Sequence, residues 1–120
     1  MKKIMVVDDN DEFRTIVKDI LGGEEFAITD FSDGMDAITE FSISRPDVVI
    51  LDHHMPNVTG IDLLRALRRI DSRVPVIMLT ASTETDLSRE ALQYGAADFI
   101  SKPPDFKELI FTVKRLSDNK

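Results

Sequence analysis

The chain has 120 residues, 42% of them hydrophobic and 31% charged, which is the make-up of one compact domain with one core. A net charge of -7 at pH 7 argues against general affinity for nucleic acid or anionic membranes, because those surfaces reward clustered Lys and Arg. There is no cysteine, so disulfides, thiolate metal sites and thiol nucleophiles are excluded.

The opening, MKKIMVVDDN, sets two lysines before an apolar run, but residues 4–7 are far too short for the apolar part of a signal peptide. No stretch approaches the length needed to span a bilayer, and a cytoplasmic location is the default expectation. Residues 4–7 (IMVV) read as a first strand. DEFRTIVKDIL, residues 11–21, then places Phe13, Ile16, Val17, Ile20 and Leu21 on one face of a helix, which Gly22 and Gly23 stop. Residues 26–31 (FAITDF) read as a second strand, polar enough for an edge. GMDAITEFSI, residues 34–43, is a second helix, ended by the restriction that Pro46 places on the residue before it.

Residues 48–51 (VVIL) are uniformly apolar, the pattern of a strand buried on both faces. GIDLLRALRRI, residues 60–70, buries Ile61, Leu64, Leu67 and Ile70 and turns Arg65, Arg68 and Arg69 mostly outward. Residues 76–79 (VIML) form a fourth strand, residues 84–95 a fourth helix closed by Gly95, and residues 99–100 a brief fifth strand. A last helix covers residues 105–116, with Asp105 as N-cap. Strands separated by helices of this length return in the same direction, so the pattern predicts an α/β fold: a (βα)5 doubly wound parallel sheet with helices on both faces. Residues 1–120 read as one domain, and no length remains after the last helix for an output domain.

In open parallel sheets, ligands bind at the carboxyl ends of the strands, where strand order reverses. The polar residues expected there are Asp8 and Asp9 after the first strand, Asp52 after the third, Thr80 after the fourth and Lys102 after the fifth. If the order is 2-1-3-4-5, the three acids converge. Two like charges about 4 Å apart repel by roughly 4 kcal/mol at an effective dielectric near 20. A bound cation is the simplest remedy, and oxygen-only ligands favour Mg2+. Thr80 adds a hydroxyl and Lys102 a mobile positive charge, a set suited to a phosphoryl group seated on a carboxylate. The set lacks the base that a hydrolase uses to activate water.

Four segments, VVDD (Asp8, Asp9), VVILDHHMPNVTG (Asp52, Met55, Pro56, Gly60), VIMLTA (Thr80, Ala81) and SKP (Lys102, Pro103), come in the order and spacing of a known family. The sequence resembles a response-regulator receiver domain of two-component signalling, of the single-domain chemotaxis type, across essentially its whole length. The resemblance implies a flavodoxin-like sheet in the order 2-1-3-4-5. It makes Asp52 the acceptor of a phosphoryl group from a phosphohistidine on a histidine kinase or histidine phosphotransfer protein. Asp9, Asp52 and the backbone carbonyl of His54 would ligate Mg2+, with Asp8 acting through water. Thr80 and Lys102 would grip the phosphoryl oxygens, and Phe99 stands at the place of the family's switch aromatic. The resemblance also puts a cis bond before Pro103. A downstream protein would dock on the face formed by the fourth helix, fifth strand and fifth helix, without nucleic-acid or membrane binding by this chain.

Other roles compete for some of these residues. The pair His53-His54 beside Asp52 suggests zinc or a general base, but adjacent side chains diverge, there is no third histidine, and a catalytic zinc takes three protein ligands. The carboxylate is therefore the reactive group. His54 lies at the mouth of the site and either tunes phosphoryl lifetime or lends only its carbonyl. Ser82 either borders the site and sets access of water or is a loop serine. Asp8 and Asp9 could cap the first helix. Arg65, Arg68, Arg69 and Arg73 form a solvated helix face or a contact for an acidic partner. An enzyme reading is a phosphatase with an aspartyl-phosphate intermediate. Such enzymes carry a second acid two residues after the nucleophile, which follows their first strand, whereas here that position is His54 and Asp52 follows the third. A receiver-like module that is never phosphorylated, and a receiver excised from a longer DNA-binding regulator or hybrid kinase, are the remaining readings.

Overall fold

Strands β1 (Lys2–Val7), β2 (Phe26–Phe31), β3 (Val48–Asp52), β4 (Val76–Thr80) and β5 (Asp98–Ser101) alternate with helices α1 (Asp11–Leu21), α2 (Gly34–Ser44), α3 (Gly60–Ile70), α4 (Thr85–Gln93) and α5 (Phe106–Asp118). The computed structural model describes residues 1–120 except 24, 56, 82–84, 103 and 119–120, and except the side chains of 85 and 86. The strands form one parallel sheet in the order β2-β1-β3-β4-β5, as expected.

The strands outrun their apolar runs. Lys2 and Lys3 already pair with Phe26 and Ala27 on β2, because a ladder is made by backbone groups and does not need apolar side chains. At the other end, Asp52 and Thr80 are the last residues of β3 and β4, paired with Leu79 and Ser101. The expectation that they follow their strands is corrected here: they are held by the ladder itself. The predicted start of the fourth helix at Glu84 lies outside the described residues.

Alternation along the strands sorts the core into two layers. Ile4, Val6, Val48, Ile50, Ile77 and Leu79 face α1 and α5. Met5, Val7, Val49, Leu51, Val76 and Met78 face α2, α3 and α4. The central strands β3 and β4 are buried throughout, whereas β2 is half open, as befits an edge. Side-chain caps fix the helix starts: Asn10 for α1, Asp33 for α2 and Thr59 for α3 each accept from a backbone N–H of the first turn. At α5 the Asp105 carboxylate accepts from Lys107 N at 2.9 Å, as expected of an N-cap.

Arg68 departs from the outward basic face. Its guanidinium turns inward and donates to the carbonyls of Val74 at 2.7 Å and Gly95 at 2.6 Å, and more weakly to that of Asp71. Chain ends between elements leave carbonyls without ladder partners, and one planar fork of donors can serve several. Burial holds its pKa below the usual arginine value, against the pull of Asp71. Arg65 lies over the Tyr94 ring, 4.8 Å from its centroid, while Arg69 and Arg73 are exposed.

The edge strand is tied to α1 by charge. Asp30 of β2 accepts from Arg14 Nε at 2.9 Å and meets Lys18 Nζ at 3.3 Å. Burial alone would raise the Asp30 pKa, but the hydrogen bonds from Arg14 and Lys18 prevail and hold it below the usual carboxylate value. Its stabilising contribution is therefore present above the unfolded-state pKa near 3.9 and disappears as pH falls through the lower folded value.

Gly60 sits where three other parts of the chain crowd the backbone. A Cβ there would lie 2.7 Å from the Asp52 carbonyl oxygen, 2.7 Å from His53 Cα and 2.8 Å from Met78 Sδ. Gly60 N also donates to His53 O at 3.0 Å, so the turn after β3 is pinned against the start of α3. Gly60→Ala should destabilise the protein by about 2 kcal/mol through overpacking, read from urea unfolding. Asp30→Asn should cost about 1 kcal/mol at neutral pH, a difference that shrinks as pH falls through the lowered folded-state pKa of Asp30, compared with wild type by the same method.

Candidate functional site

The carboxyl ends of β1, β3, β4 and β5 make one rim. Asp8, Asp9 and Asp52 each bring a carboxylate oxygen into a group whose atoms all lie within 4.8 Å of one another. Among the described residues this is the one cluster of His, Asp or Glu arranged to hold a metal ion, and neither histidine is in it. Asp8 is 1% exposed, Asp52 4%, and Asp9 is open to solvent.

Asp8 and Asp9 do not cap α1. Asn10 does that, accepting from Phe13 N at 3.0 Å, which leaves both acids available. Asp8 continues the sheet pairing by donating its N–H to Phe31 O at 3.0 Å. Its carbonyl accepts from Arg14 at 2.6 Å, and Arg14 in turn pairs with Asp11 and Asp30. Arg14 is thus a support of the acidic loop that the sequence reading missed. The available signal was directional: helical side chains lean toward the helix N-terminus, so a long residue in the first turn of α1 covers the loop before it.

Lys102 emerges from β5, its N–H donating to Thr80 O at 2.8 Å. Its ammonium lies 2.5 Å from Asp8 Oδ2 and 3.4 Å from Asp52 Oδ1, bridging the two buried acids. Burial raises the Asp52 pKa, and the nearby Asp8 charge raises it further; Lys102 and a hydrogen bond from the His54 backbone work in the opposite direction. Three carboxylates and one ammonium leave two negative charges. Oxygen-only donors with that residual charge fit a divalent cation of the hard type, Mg2+ among them.

Thr80 is fully buried and shares a strand face with Met78, whose partner on β5 is Phe99. Phe99 is half-buried against the core layer of α2, α3 and α4. Thr80 and Phe99 therefore belong to the layer that α4 covers, while Asp52 belongs by alternation to the α1 and α5 side. His54 is exposed beside the site, and His53 is half-buried with its ring edge-on to that of His54 at 5.0 Å. The structure thus brings Asp8, Asp9, Asp52 and Lys102 together and sets Thr80 and Phe99 on the neighbouring strand ends. Ser82 and Pro103 lie outside the described residues, as does Pro56. A cleft of about 450 Å³ opens beside Lys102, between α1 and the start of α5, with Phe13, Ile16, Pro104 and Phe106 in its wall.

Comparison with known proteins agrees with this geometry. The family model described as the response regulator receiver domain matches residues 4–114. The DNA-binding response regulator MtrA of Mycobacterium tuberculosis is 42% identical over 113 residues, covering 94% of this chain and 49% of MtrA. The chain spans about half the length of the curated relatives first found. Among solved structures, the receiver domain of the Francisella response regulator 1452 superposes with a TM-score of 0.92 at 31% identity, covering 99% of this chain and 98% of that one. The chemotaxis protein CheY4 of Vibrio cholerae gives 0.89 at 30% identity, over 97% and 98%. With the fold, the acidic rim and the family model in agreement, the chain belongs to the response regulator receiver family of two-component signal transduction.

Proposed function

We propose that residues 1–120 form a receiver module that takes a phosphoryl group onto Asp52 from a phosphohistidine of a histidine kinase or histidine phosphotransfer protein, with Mg2+, and signals by protein contact. The observation that carries this reading is the buried Asp52 carboxylate, with Asp8 and Asp9 beside it and Lys102 at 3.4 Å. An Asp52 oxygen forms the new P–O bond as the donor's P–N bond breaks, and the imidazole leaves with that electron pair. Burial and Asp8 raise the Asp52 pKa, and Lys102 and the His54 backbone oppose that rise, toward the charged form that such an attack needs.

Asp8, Asp9, Asp52 and the backbone carbonyl of His54 would hold the metal. When bound, Mg2+ offsets charge on the transferring phosphoryl oxygens. Lys102 can follow those oxygens because it is a point charge on a flexible stem. Thr80 supplies a hydroxyl from the next strand end.

Thr80 and Phe99 also supply a route for output. A phosphoryl group that draws the Thr80 hydroxyl toward Asp52 changes packing on the α4 side of the sheet, where Phe99 lies. The result is a shift of population toward a form whose α4, β5 and α5 face binds a target. An overall charge of -7 favours protein over nucleic acid as that target.

Incubation with Mg2+ and acetyl phosphate should add the mass of one phosphoryl group to the intact native protein. Asp52→Asn should show no such gain, nor should wild type in the presence of a chelator; a gain unaffected by Asp52→Asn would rule out the assignment. Small phosphate esters should not be turned over. Beryllofluoride with Mg2+ should shift amide resonances across residues 86–116, and spectra unchanged there would reject the Thr80–Phe99 route.

A further inference from the structure

Asp8 uses both carboxylate oxygens in one corner of the site. Oδ1 accepts from Asn10 N at 2.9 Å, and Oδ2 accepts from Lys102 Nζ at 2.5 Å. Asn10 in turn accepts from Phe13 N at 3.0 Å. The Phe13 ring then lies under the lysine, its centroid 4.6 Å from Nζ. The chain of contacts closes on itself: Asp8, Asn10, Phe13, Lys102 and back to Asp8. Phe13 is buried, and Phe106 at the start of α5 backs it with ring centroids 6.3 Å apart.

Resting on the phosphoryl-acceptor reading above, we propose that Phe13 is a positioning residue for Lys102, its ring face forming one wall of the place where the ammonium meets the incoming phosphoryl group. An ammonium has three N–H directions, and the two carboxylates lie toward only part of that sphere. The negative face of an aromatic ring attracts a cation but accepts no strong hydrogen bond. Phe13 therefore steadies Lys102 without giving it a partner that it must abandon when phosphoryl oxygens arrive. A carboxylate or amide at this position would compete for the ammonium, and an aliphatic side chain would leave the four-carbon stem free to wander.

Three variants separate this role from packing. Phe13→Tyr keeps the ring, Phe13→Leu keeps an apolar filler without it, and Phe106→Leu removes the backing ring, which is in no cation–π pair among the described residues. By NMR, without metal or phosphodonor, the Lys102 ε-methylene protons should lie upfield of those of Lys107 and Lys114 in wild type and Phe13→Tyr, and lose that shift in Phe13→Leu. With Mg2+ and excess acetyl phosphate, Phe13→Leu should be phosphorylated about three- to tenfold more slowly, the size of a partly desolvated cation–π contact. Phe13→Tyr and Phe106→Leu should match wild type, and thermal melting confirms that each variant is folded. An unshifted Lys102 in wild type, an unchanged rate in Phe13→Leu, or equal slowing in Phe106→Leu overturns the proposal. A wild-type protein that takes no phosphoryl group overturns the acceptor reading itself, and the role of the ring falls with it.

Discussion

Two carboxylates nearly closed off from water, at the ends of adjacent strands, set the terms for everything around them. Asp8 follows β1 and Asp52 ends β3, strands that the order makes neighbours, and Asp9 adds a third negative charge at the solvent edge. Burying like charges together is costly unless something positive is placed between them. Lys102 answers that demand from the end of β5, reaching across β4 and β3 to bridge both buried acids. One ammonium cannot balance three carboxylates, and the surplus negative charge suits the proposed divalent cation. A lysine that already satisfies Asp8 is also held within reach of Asp52, so the contact that offsets buried charge also places the ammonium beside the proposed acceptor.

The supports of this corner come from outside the acidic cluster. Arg14 fixes the Asp8 carbonyl and anchors it to Asp30 on the edge strand, while Asn10 starts α1 without drawing on either acid. Gly60 lets the chain after Asp52 fold back against β4 with no side chain in the way. These residues, Arg14, Asn10 and Gly60, lie outside the acidic cluster. They decide how far the oxygen atoms of Asp8 and Asp52 can drift, and a site built on strand ends with such bracing is more exact than one built on free loops.

The sequence made the scaffold legible because β3 and β4 are apolar runs, β1 holds one, and the helices between strands are periodic. The acids, Thr80 and Lys102 were legible because polar residues directly after apolar runs stand out. Strand ends were less so: nothing in VVILD or VIMLT says that the ladder carries on through Asp52 and Thr80, since backbone pairing ignores side-chain polarity. Arg68 was misplaced for a related reason. Helical spacing gives its angular position at the margin of the exposed face, but its direction was decided by carbonyls of Val74 and Gly95, brought near only by the folded loops. The pairing of Phe13 with Lys102 joins residues on α1 and beyond β5, and no local pattern records so distant a contact. Phe13 read simply as core, which is also true.

Alternation along the sheet divides the labour of the site. Asp52 stands on the α1 and α5 side, and the cleft beside Lys102 opens between α1 and the start of α5. Thr80 and Phe99 stand on the α4 side. In the proposed function, the acceptor and the route from Thr80 to Phe99 would thus lie on different layers of one molecule, joined at the rim where β3 and β4 end. The chain is similar to proteins as unlike as MtrA, described as DNA-binding, and CheY4, described as a chemotaxis protein, so what the family shares is the receiver and not the output.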